Sequence, residues 1–137
     1  MNQSDRIIAL NTLLTERVLV IDGAMGTAIQ ALDLGPDDFG GPEFEGCNEN
    51  LTLTRPDAIA QIHQEYLDAG ADILETNTFG ATPVVLAEYN LAHEARRINR
   101  EGVQLARRLA DAASTPERPR FVAGSMGPTT KSISYFW

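Results

Sequence analysis

The sequence predicts an α/β protein built around a parallel sheet, and two observations lead to that fold class. Short apolar segments of strand length alternate along the chain with longer segments in which apolar residues recur at helical spacing. Each strand-like segment ends in a polar or glycine-rich turn, as in proteins that bind ligands at the carboxyl ends of parallel strands. Three such strands are visible, whereas a closed (β/α)8 barrel takes eight strands and about 250 residues.

The first two elements are a short helix and a strand. Apolar residues recur at helical spacing over residues 7–14, which predicts an amphipathic helix. The apolar, largely β-branched run at residues 18–21 then predicts a parallel strand that is buried on both faces. Asp22 follows directly and is therefore the first residue free to meet a ligand, while Gly23 and Gly26 let a backbone come close.

A turn-rich segment and a second helix come next. Residues 33–50 contain several glycines and two prolines, and irregular segments of this length are often functional. Thr54 then predicts a helix start through its hydroxyl, with Pro56 in the first turn and Asp57 completing a capping box. Gly70 predicts a left-handed end to this helix.

The remaining pattern repeats the alternation of strand and helix. Residues 71–75 predict a second strand, which ends on the carboxylate of Glu75. An apolar stripe over residues 91–113 predicts a long amphipathic helix. Residues 121–126 predict a third strand, and a glycine-rich turn at residues 127–131 follows it.

Composition excludes several classes of function. The chain has 137 residues, 11 Lys and Arg, 19 Asp and Glu and a formal net charge of −8, which argues against nucleic-acid or anionic-membrane partners. The arginines between Arg96 and Arg120 are interpreted as a solvated helix face and a polar loop. No apolar stretch approaches the ~20 residues of a membrane span and no signal peptide is visible, so we expect a cytoplasmic protein.

The polar turns suit a zwitterionic ligand such as an amino acid. Asp22 and Glu75 each follow a strand, so a carboxylate there can hold an ammonium group, while the amides of the turn that begins at Gly127 can hold a carboxylate. Paired carboxylates also leave a general acid or base role open. The alternative for Asp22 is a cap on its own turn. Thr76 and Asn77 have the alternative of bonding to loop backbone.

The other reactive side chains give weaker signals. His63 and His93 have no second metal ligand at helical spacing and are interpreted as core or surface residues. Cys47 is the single cysteine, which excludes an internal disulfide, and we interpret it as a small buried hydrophobe. The spacing of Gly23 and Gly26 matches neither a Rossmann fingerprint nor a P-loop.

Four segments, taken in order, resemble the start of the homocysteine S-methyltransferase family. They are IDGAMGT at residues 21–27, FEGCNENL at 44–51, GADILETNTF at 70–79 and GSMGPT at 124–129. The likeness is strongest to the N-terminal homocysteine-binding module of cobalamin-dependent methionine synthases. It implies that residues 1–137 form the N-terminal portion of that domain, about three βα units of an incomplete (β/α)8 TIM barrel.

The resemblance also implies a reaction and its cofactors. In this family homocysteine is activated on a zinc ion held by three cysteines, and in the cobalamin-dependent branch the methyl donor is methylcobalamin, recharged from methyltetrahydrofolate. The cobalamin and folate functions belong to other modules of such proteins. By position, the residues that match the homocysteine pocket are Asp22, Gly23, Thr76, Glu75, Asn77 and Gly127.

Two departures from the family leave alternatives open. The zinc cysteines of the family lie in later strands and Cys47 does not match them, so no metal ligand is assigned. The three aromatic residues within residues 133–137 predict a truncated or frameshifted reading frame or a partial gene model. The alternatives are therefore a non-catalytic fragment, or a stand-alone homocysteine methyltransferase that uses S-methylmethionine or betaine.

Overall fold

The order of helices and strands follows the predicted alternation. The structure is a computed structural model that describes residues 1–131, so the predicted change in reading frame at residues 133–137 lies outside the described residues. The helices and strands, numbered in chain order, are α1 (Gln3–Glu16), α2 (Met25–Ala31), α3 (Leu51–Thr54), α4 (Pro56–Ala69), β1 (Ile73–Glu75), α5 (Pro83–Leu86), α6 (Ala95–Ala113) and β2 (Phe121–Ala123).

The sheet is short and parallel. β1 and β2 pair in parallel, with Ile73 opposite Phe121 and Glu75 opposite Ala123. On the other side of β1, Ile21 forms a parallel bridge with Ile73. Three consecutive chain segments therefore run side by side in the same direction, which confirms the predicted parallel α/β class.

Two long helices connect these segments and supply most of the core. α4 lies between the first segment and β1, and α6 lies between β1 and β2; the two helices pack against each other and against the sheet. Gly70, at φ 105°, ends α4 in the left-handed conformation, as predicted. The fully buried apolar side chains include Leu51, Ile59, Ile62, Leu74, Leu86 and Ile98.

The first predicted strand differs from the prediction. Only Ile21 forms a bridge, and the side chains of Val18 and Val20 are 84% and 55% exposed. An apolar run is buried on both faces only when layers cover both faces. Here the segment lies at the edge of the sheet, and no described element covers it, so its predicted burial was wrong.

The N-terminal helix is confirmed, but it packs loosely. No residue of α1 is buried, and Ile7 and Ile8 are more than half exposed. An ion pair between Arg6 and Asp111, with an N–O distance of 3.0 Å, joins α1 to α6. No helix within residues 1–131 has the length and apolar character needed to cross a membrane.

The predicted N-terminal cap of α4 was wrong. Thr54 is the last residue of α3, so its hydroxyl donates back to the carbonyl of Asn50 at 3.3 Å. The residue that precedes α4 is instead Arg55, which makes no side-chain cap. Asp57 accepts hydrogen bonds from the Arg55 guanidinium, and Pro56 opens the helix as predicted.

Candidate functional site

A cleft of about 350 Å³ lies at the carboxyl ends of the three parallel segments. Ligands bind at this edge in parallel α/β proteins, because the loops that follow the strands converge there. The cleft is lined by residues 22–26 after the first segment, residues 75–77 and Phe79 after β1, Ser125 after β2, and Asn48 and Glu49 from the turn-rich segment.

Asp22 lies in the wall of this cleft and is 7% exposed. Its Oδ1 accepts a hydrogen bond of 2.7 Å from the backbone N–H of Glu75, so the carboxylate bridges two neighbouring strand ends. Its Oδ2 lies 3.6 Å from Nδ1 of His63. Asp22 thus supports the neighbouring strand and does not cap its own turn.

Glu75 lies in the same wall and is half-buried. The hydroxyl of Ser125 donates a hydrogen bond to its Oε1. The sequence predicted that this carboxylate can hold a ligand ammonium group, and the structure gives one of its oxygens a partner within the chain. Asp22 and Glu75, predicted from separate strand ends, are therefore brought together in one cleft.

Thr76 has a hydroxyl whose orientation is fixed by its neighbours. Thr78 donates its hydroxyl proton to the carbonyl of Ser125 at 2.9 Å, so the 2.7 Å contact between the two threonine hydroxyls uses the proton of Thr76. The same Thr76 oxygen accepts the N–H of Ser125 at 3.0 Å. These bonds join the loop after β1 to the loop after β2 and so shape the cleft floor.

Asn77 presents an acceptor to the cleft. Its Nδ2 donates to the carbonyl of Asn48 at 2.8 Å and to the hydroxyl of Thr52 at 3.3 Å, which fixes the amide orientation. Its Oδ1 accepts no hydrogen bond within residues 1–131. Among the cleft-lining side chains, this amide oxygen is therefore free for a ligand.

The two predicted glycines have different positions. Gly23 lines the cleft, and a Cβ at this position would meet no atom within 4 Å. Gly127 does not line the cleft, and its N–H donates to the carbonyl of Phe79 at 2.8 Å. A Cβ at Gly127 would lie 2.7 Å from that same carbonyl oxygen. Gly127 therefore supports Phe79, which does line the cleft.

Glu49 is a third carboxylate in the cleft that the sequence analysis did not propose as a site residue. Its Oε1 accepts the N–H of Gly80 at 2.7 Å, which anchors the turn-rich segment to the loop after β1. The signal that could have found it is the long irregular segment itself, because segments of this kind often carry function. Ser125 was missed as well, because nothing in its local sequence shows that it reaches Glu75.

The charge of the cleft is one-sided. Three carboxylates line it, and no lysine or arginine does so among the residues that the structure describes. Residues 23–26 also line the cleft, and their backbone amides donate to no acceptor in the described part of the chain. The cleft therefore offers acceptors for a cation and, on one wall, donors for an anion, as a zwitterion requires.

A zinc site of the kind that the resemblance implies does not fit these residues. The chain contains one cysteine, and residues 1–131 contain no group of three His, Cys, Asp or Glu side chains arranged to hold a metal. Cys47 is 1% exposed, and burial raises the pKa of its thiol to about 11. A buried thiol of this kind disfavours the thiolate that zinc binds.

Comparison with known proteins decides the family. The sequence model of the homocysteine S-methyltransferase family matches residues 19–135. The chain belongs to the homocysteine S-methyltransferase family. This confirms the resemblance that the four segments indicated.

Curated relatives in this family carry the name methionine synthase. The chain is 52% identical over 119 residues to that of Mycobacterium tuberculosis and 48% identical over 130 residues to that of Mycobacterium leprae. These matches cover 87% and 95% of the chain but only 10% and 11% of the relatives. The chain thus spans about a tenth of the length of the methionine synthases that it matches.

Solved structures of the homocysteine methyltransferase MmuM from Escherichia coli have a similar fold. The metallated form matches with a TM-score of 0.68 and 29% identity, and the oxidised form with 0.69 and 30%. Both matches cover 87% of this chain, and they cover 41% and 40% of the MmuM chains. The described fold is therefore similar to a part of this methyltransferase.

Proposed function

We propose that this chain forms the homocysteine-holding part of a cobalamin-dependent methionine synthase. The observation that carries the proposal is the cleft of this family member, which three carboxylates line and to which the described residues contribute no lysine or arginine. A cleft of about 350 Å³ lies at the small end of the range for ligand sites. Its size suits an amino acid rather than a corrinoid macrocycle.

The substrate ammonium is assigned to the acidic wall. Asp22 keeps Oδ2 free of a backbone donor, because the Glu75 amide bonds only to Oδ1. Glu75 likewise has one oxygen beyond the one that Ser125 holds. The Asn77 amide oxygen adds an uncharged acceptor. Charge-assisted hydrogen bonds to these oxygens would orient the amino acid end of homocysteine.

The substrate carboxylate is assigned to backbone amides. Thr76 joins the loop after β1 to the loop after β2. The backbone amide of Gly23 donates to no acceptor among the described residues. The Gly127 amide bonds to Phe79, so we assign Gly127 a supporting role and place the carboxylate near Gly23. A side chain at Gly23 would project into open space that the ligand needs.

The fold proposal is that residues 1–137 supply about three βα units of a (β/α)8 barrel. The parallel order of residue 21, β1 and β2 supports it, as does the coverage of about two fifths of the MmuM chain. The exposed apolar side chains at Val18 and Val20 are those that further barrel elements would cover.

The proposed methyl donor is methylcobalamin, recharged from methyltetrahydrofolate by other modules of a longer protein. Identities of 48–52% to proteins named methionine synthase support this branch of the family. Zinc would supply thiolate activation in the family, but residues 1–131 of this chain do not form its site. We therefore propose that this chain binds homocysteine and does not by itself catalyse methyl transfer.

A titration with matched ligands tests the binding proposal. We expect homocysteine to bind under reducing conditions, and 4-mercaptobutanoate, which lacks only the ammonium group, to bind at least about tenfold more weakly. Isothermal titration calorimetry measures both affinities. Equal affinity for the two ligands would show that the acidic wall does not hold the ammonium.

A separate assay tests the catalytic part of the proposal. The chain, supplied with homocysteine, methylcobalamin and zinc, is expected to form no methionine above the background without protein. Methionine formation in proportion to the amount of chain would contradict the assignment of sulfur activation to residues outside this sequence.

A further inference from the structure

His63 on α4 is the one fully buried histidine within the described residues, and its burial is not explained by packing alone. It is 0% exposed, and neither ring nitrogen has a hydrogen-bond partner within residues 1–131. A buried polar group without a partner costs about 1–3 kcal/mol. Most buried polar groups are satisfied, so an exception calls for a physical reason. The sequence analysis interpreted His63 as a core or surface residue, which gives no such reason.

The position of the ring supplies the reason. Its Nδ1 lies 3.6 Å from Oδ2 of Asp22, and both side chains are almost completely buried. The other oxygen of Asp22 accepts the Glu75 amide at 2.7 Å. The two carboxylate oxygens therefore face two different groups: Oδ1 accepts a strand-end amide, and Oδ2 lies beside the imidazole of His63.

The contact is slightly longer than a normal hydrogen bond. Hydrogen bonds at catalytic and binding sites are often long in the free protein and shorten when the ligand is bound. A movement of about half an ångström would bring Nδ1 and Oδ2 to the usual N–H···O distance. Without a donor on Nδ1, Asp22 Oδ2 would face only a ring lone pair at this distance, which is repulsive.

We propose that His63 is a positioning residue that carries a proton on Nδ1, directs it at Asp22 Oδ2 and thereby holds this carboxylate in the orientation that receives the ligand. The proposal rests on the proposed role of Asp22 in holding the substrate ammonium. His63 does not touch the ligand, since it lies behind Asp22 and does not line the cleft. A purely structural histidine would need no particular proton position, because its packing is the same in either tautomer.

The proton position can be measured directly. The chain has two histidines, so the H93Q variant leaves His63 as the only imidazole; His93 is exposed and does not line the cleft. Long-range ¹H–¹⁵N correlation spectra of this variant are expected to show Nδ1 of His63 as a protonated nitrogen, with and without homocysteine. A spectrum in which Nδ1 is the unprotonated nitrogen would overturn the proposal. This outcome does not depend on whether homocysteine binds.

Three substitutions test the consequence for binding. Asparagine places an amide donor near the position of Nδ1, glutamine places one near Nε2, and leucine places none. We expect H63N to bind homocysteine within about threefold of the unmodified chain, and H63Q and H63L to bind about tenfold more weakly. Equal affinities in the three variants would contradict the positioning role.

The two measurements distinguish a failure of the proposed homocysteine binding from a failure of the proposed role of His63. If homocysteine does not bind the unmodified chain, the proposed function fails, while the tautomer measurement still decides whether His63 orients Asp22. If a substitution prevents folding, circular dichroism identifies that variant and the tautomer measurement again decides. A protonated Nδ1 together with a rescue by asparagine alone is the result that the proposal requires.

Discussion

The two ends of the parallel sheet each hold a buried aspartate, and the surroundings of the two side chains are opposite. At the amino end of β1, Asp72 accepts two hydrogen bonds from the Arg17 guanidinium, at 2.8 and 2.9 Å. Arg118 and Arg120 lie within 4 Å of the same carboxylate. At the carboxyl end, Asp22 has one amide donor and no arginine or lysine beside it within residues 1–131.

From this difference we infer that the amino end of the sheet stabilises the fold and that the carboxyl end binds the ligand. Asp72 has its charge balanced within the chain, and the Arg17 side chain beside it lowers the pKa of Asp72 to about 2. Asp72 therefore needs no cation from a ligand to balance its charge. The carboxylates of the cleft end lack a cation from the described chain, so a ligand ammonium can supply it. This division matches the general rule that the carboxyl ends of parallel strands carry binding sites and the amino ends carry stability.

The largest expected effect on stability is at the amino end of the sheet, where arginines balance the charge of Asp72. Substitution of Asp72 by asparagine removes the anion and leaves Arg17 and the buried Arg120 without their partner. Breaking a buried pair in this way costs several kcal/mol, and since Arg17 is partly exposed we expect about 3 kcal/mol of lost unfolding free energy. Urea denaturation at about pH 7 measures it.

Substitution of an exposed aspartate is the matched control for D72N. Asp111 also pairs with two arginines, Arg6 and Arg107, but its side chain is 47% exposed. Because exposed ion pairs contribute little, D111N is expected to lose at most about 1 kcal/mol. Similar losses in D72N and D111N would show that burial of the charge at the amino end is not what stabilises the sheet.

The second expected effect is the pH dependence of the stability that Asp72 contributes at the amino end of the sheet. The pKa of Asp72 is about 2 in the folded chain, below the value of about 3.9 for an unfolded chain. The stabilisation is therefore fully present above about pH 5 and is lost as the pH falls toward 2. Allowing for screening at the half-exposed Arg17, we expect a loss of about 1–2 kcal/mol between about pH 5 and pH 2 that D72N does not show. Parallel pH curves for the two proteins would contradict the assignment of the shift to Asp72.

The third effect tests how the cleft end is stabilised. Within residues 1–131 no lysine or arginine balances its carboxylates, so its walls depend on backbone bonds and packing, as at Gly127 and Phe79. G127A would push against the Phe79 carbonyl, and we expect a loss of about 1–2 kcal/mol in urea unfolding. The control is G124A, because a Cβ at Gly124 meets no atom within 4 Å. Equal effects of the two alanines would show that the wall is not close-packed at Gly127.

The sequence predicted much of the fold because its signals are local. Helix periodicity, the left-handed Gly70 and the strand ending on Glu75 depend on neighbours in the chain, and the structure confirms them. Burial of residues 18–21 failed because burial depends on what covers a segment, which no local pattern states. The cap at Thr54 failed because α3 continues directly up to it.

The candidate site was predictable in part. Turns after parallel strands converge, so Asp22 and Glu75 could be placed together from their positions alone. Glu49 lies in a short 3₁₀ helix within the turn-rich segment, and no local pattern shows how near that helix comes to those turns. The arginines after α6 were interpreted as part of a solvated polar loop, which was wrong for Arg120, since it is 8% exposed and faces Asp72.

The most direct test of the division between the two ends is the unfolding free energy of D22N beside that of D72N, measured by urea denaturation at about pH 7. Asparagine at position 22 keeps an acceptor for the Glu75 amide, removes a buried charge that has no arginine or lysine partner within residues 1–131, and replaces the Oδ2 that faces His63. Because D22N leaves the proposed Nδ1 donor of His63 without its acceptor, we expect a loss of about 1–2 kcal/mol, against about 3 kcal/mol for D72N. A loss in D22N as large as that in D72N would show that Asp22 is a structural residue and would contradict the account.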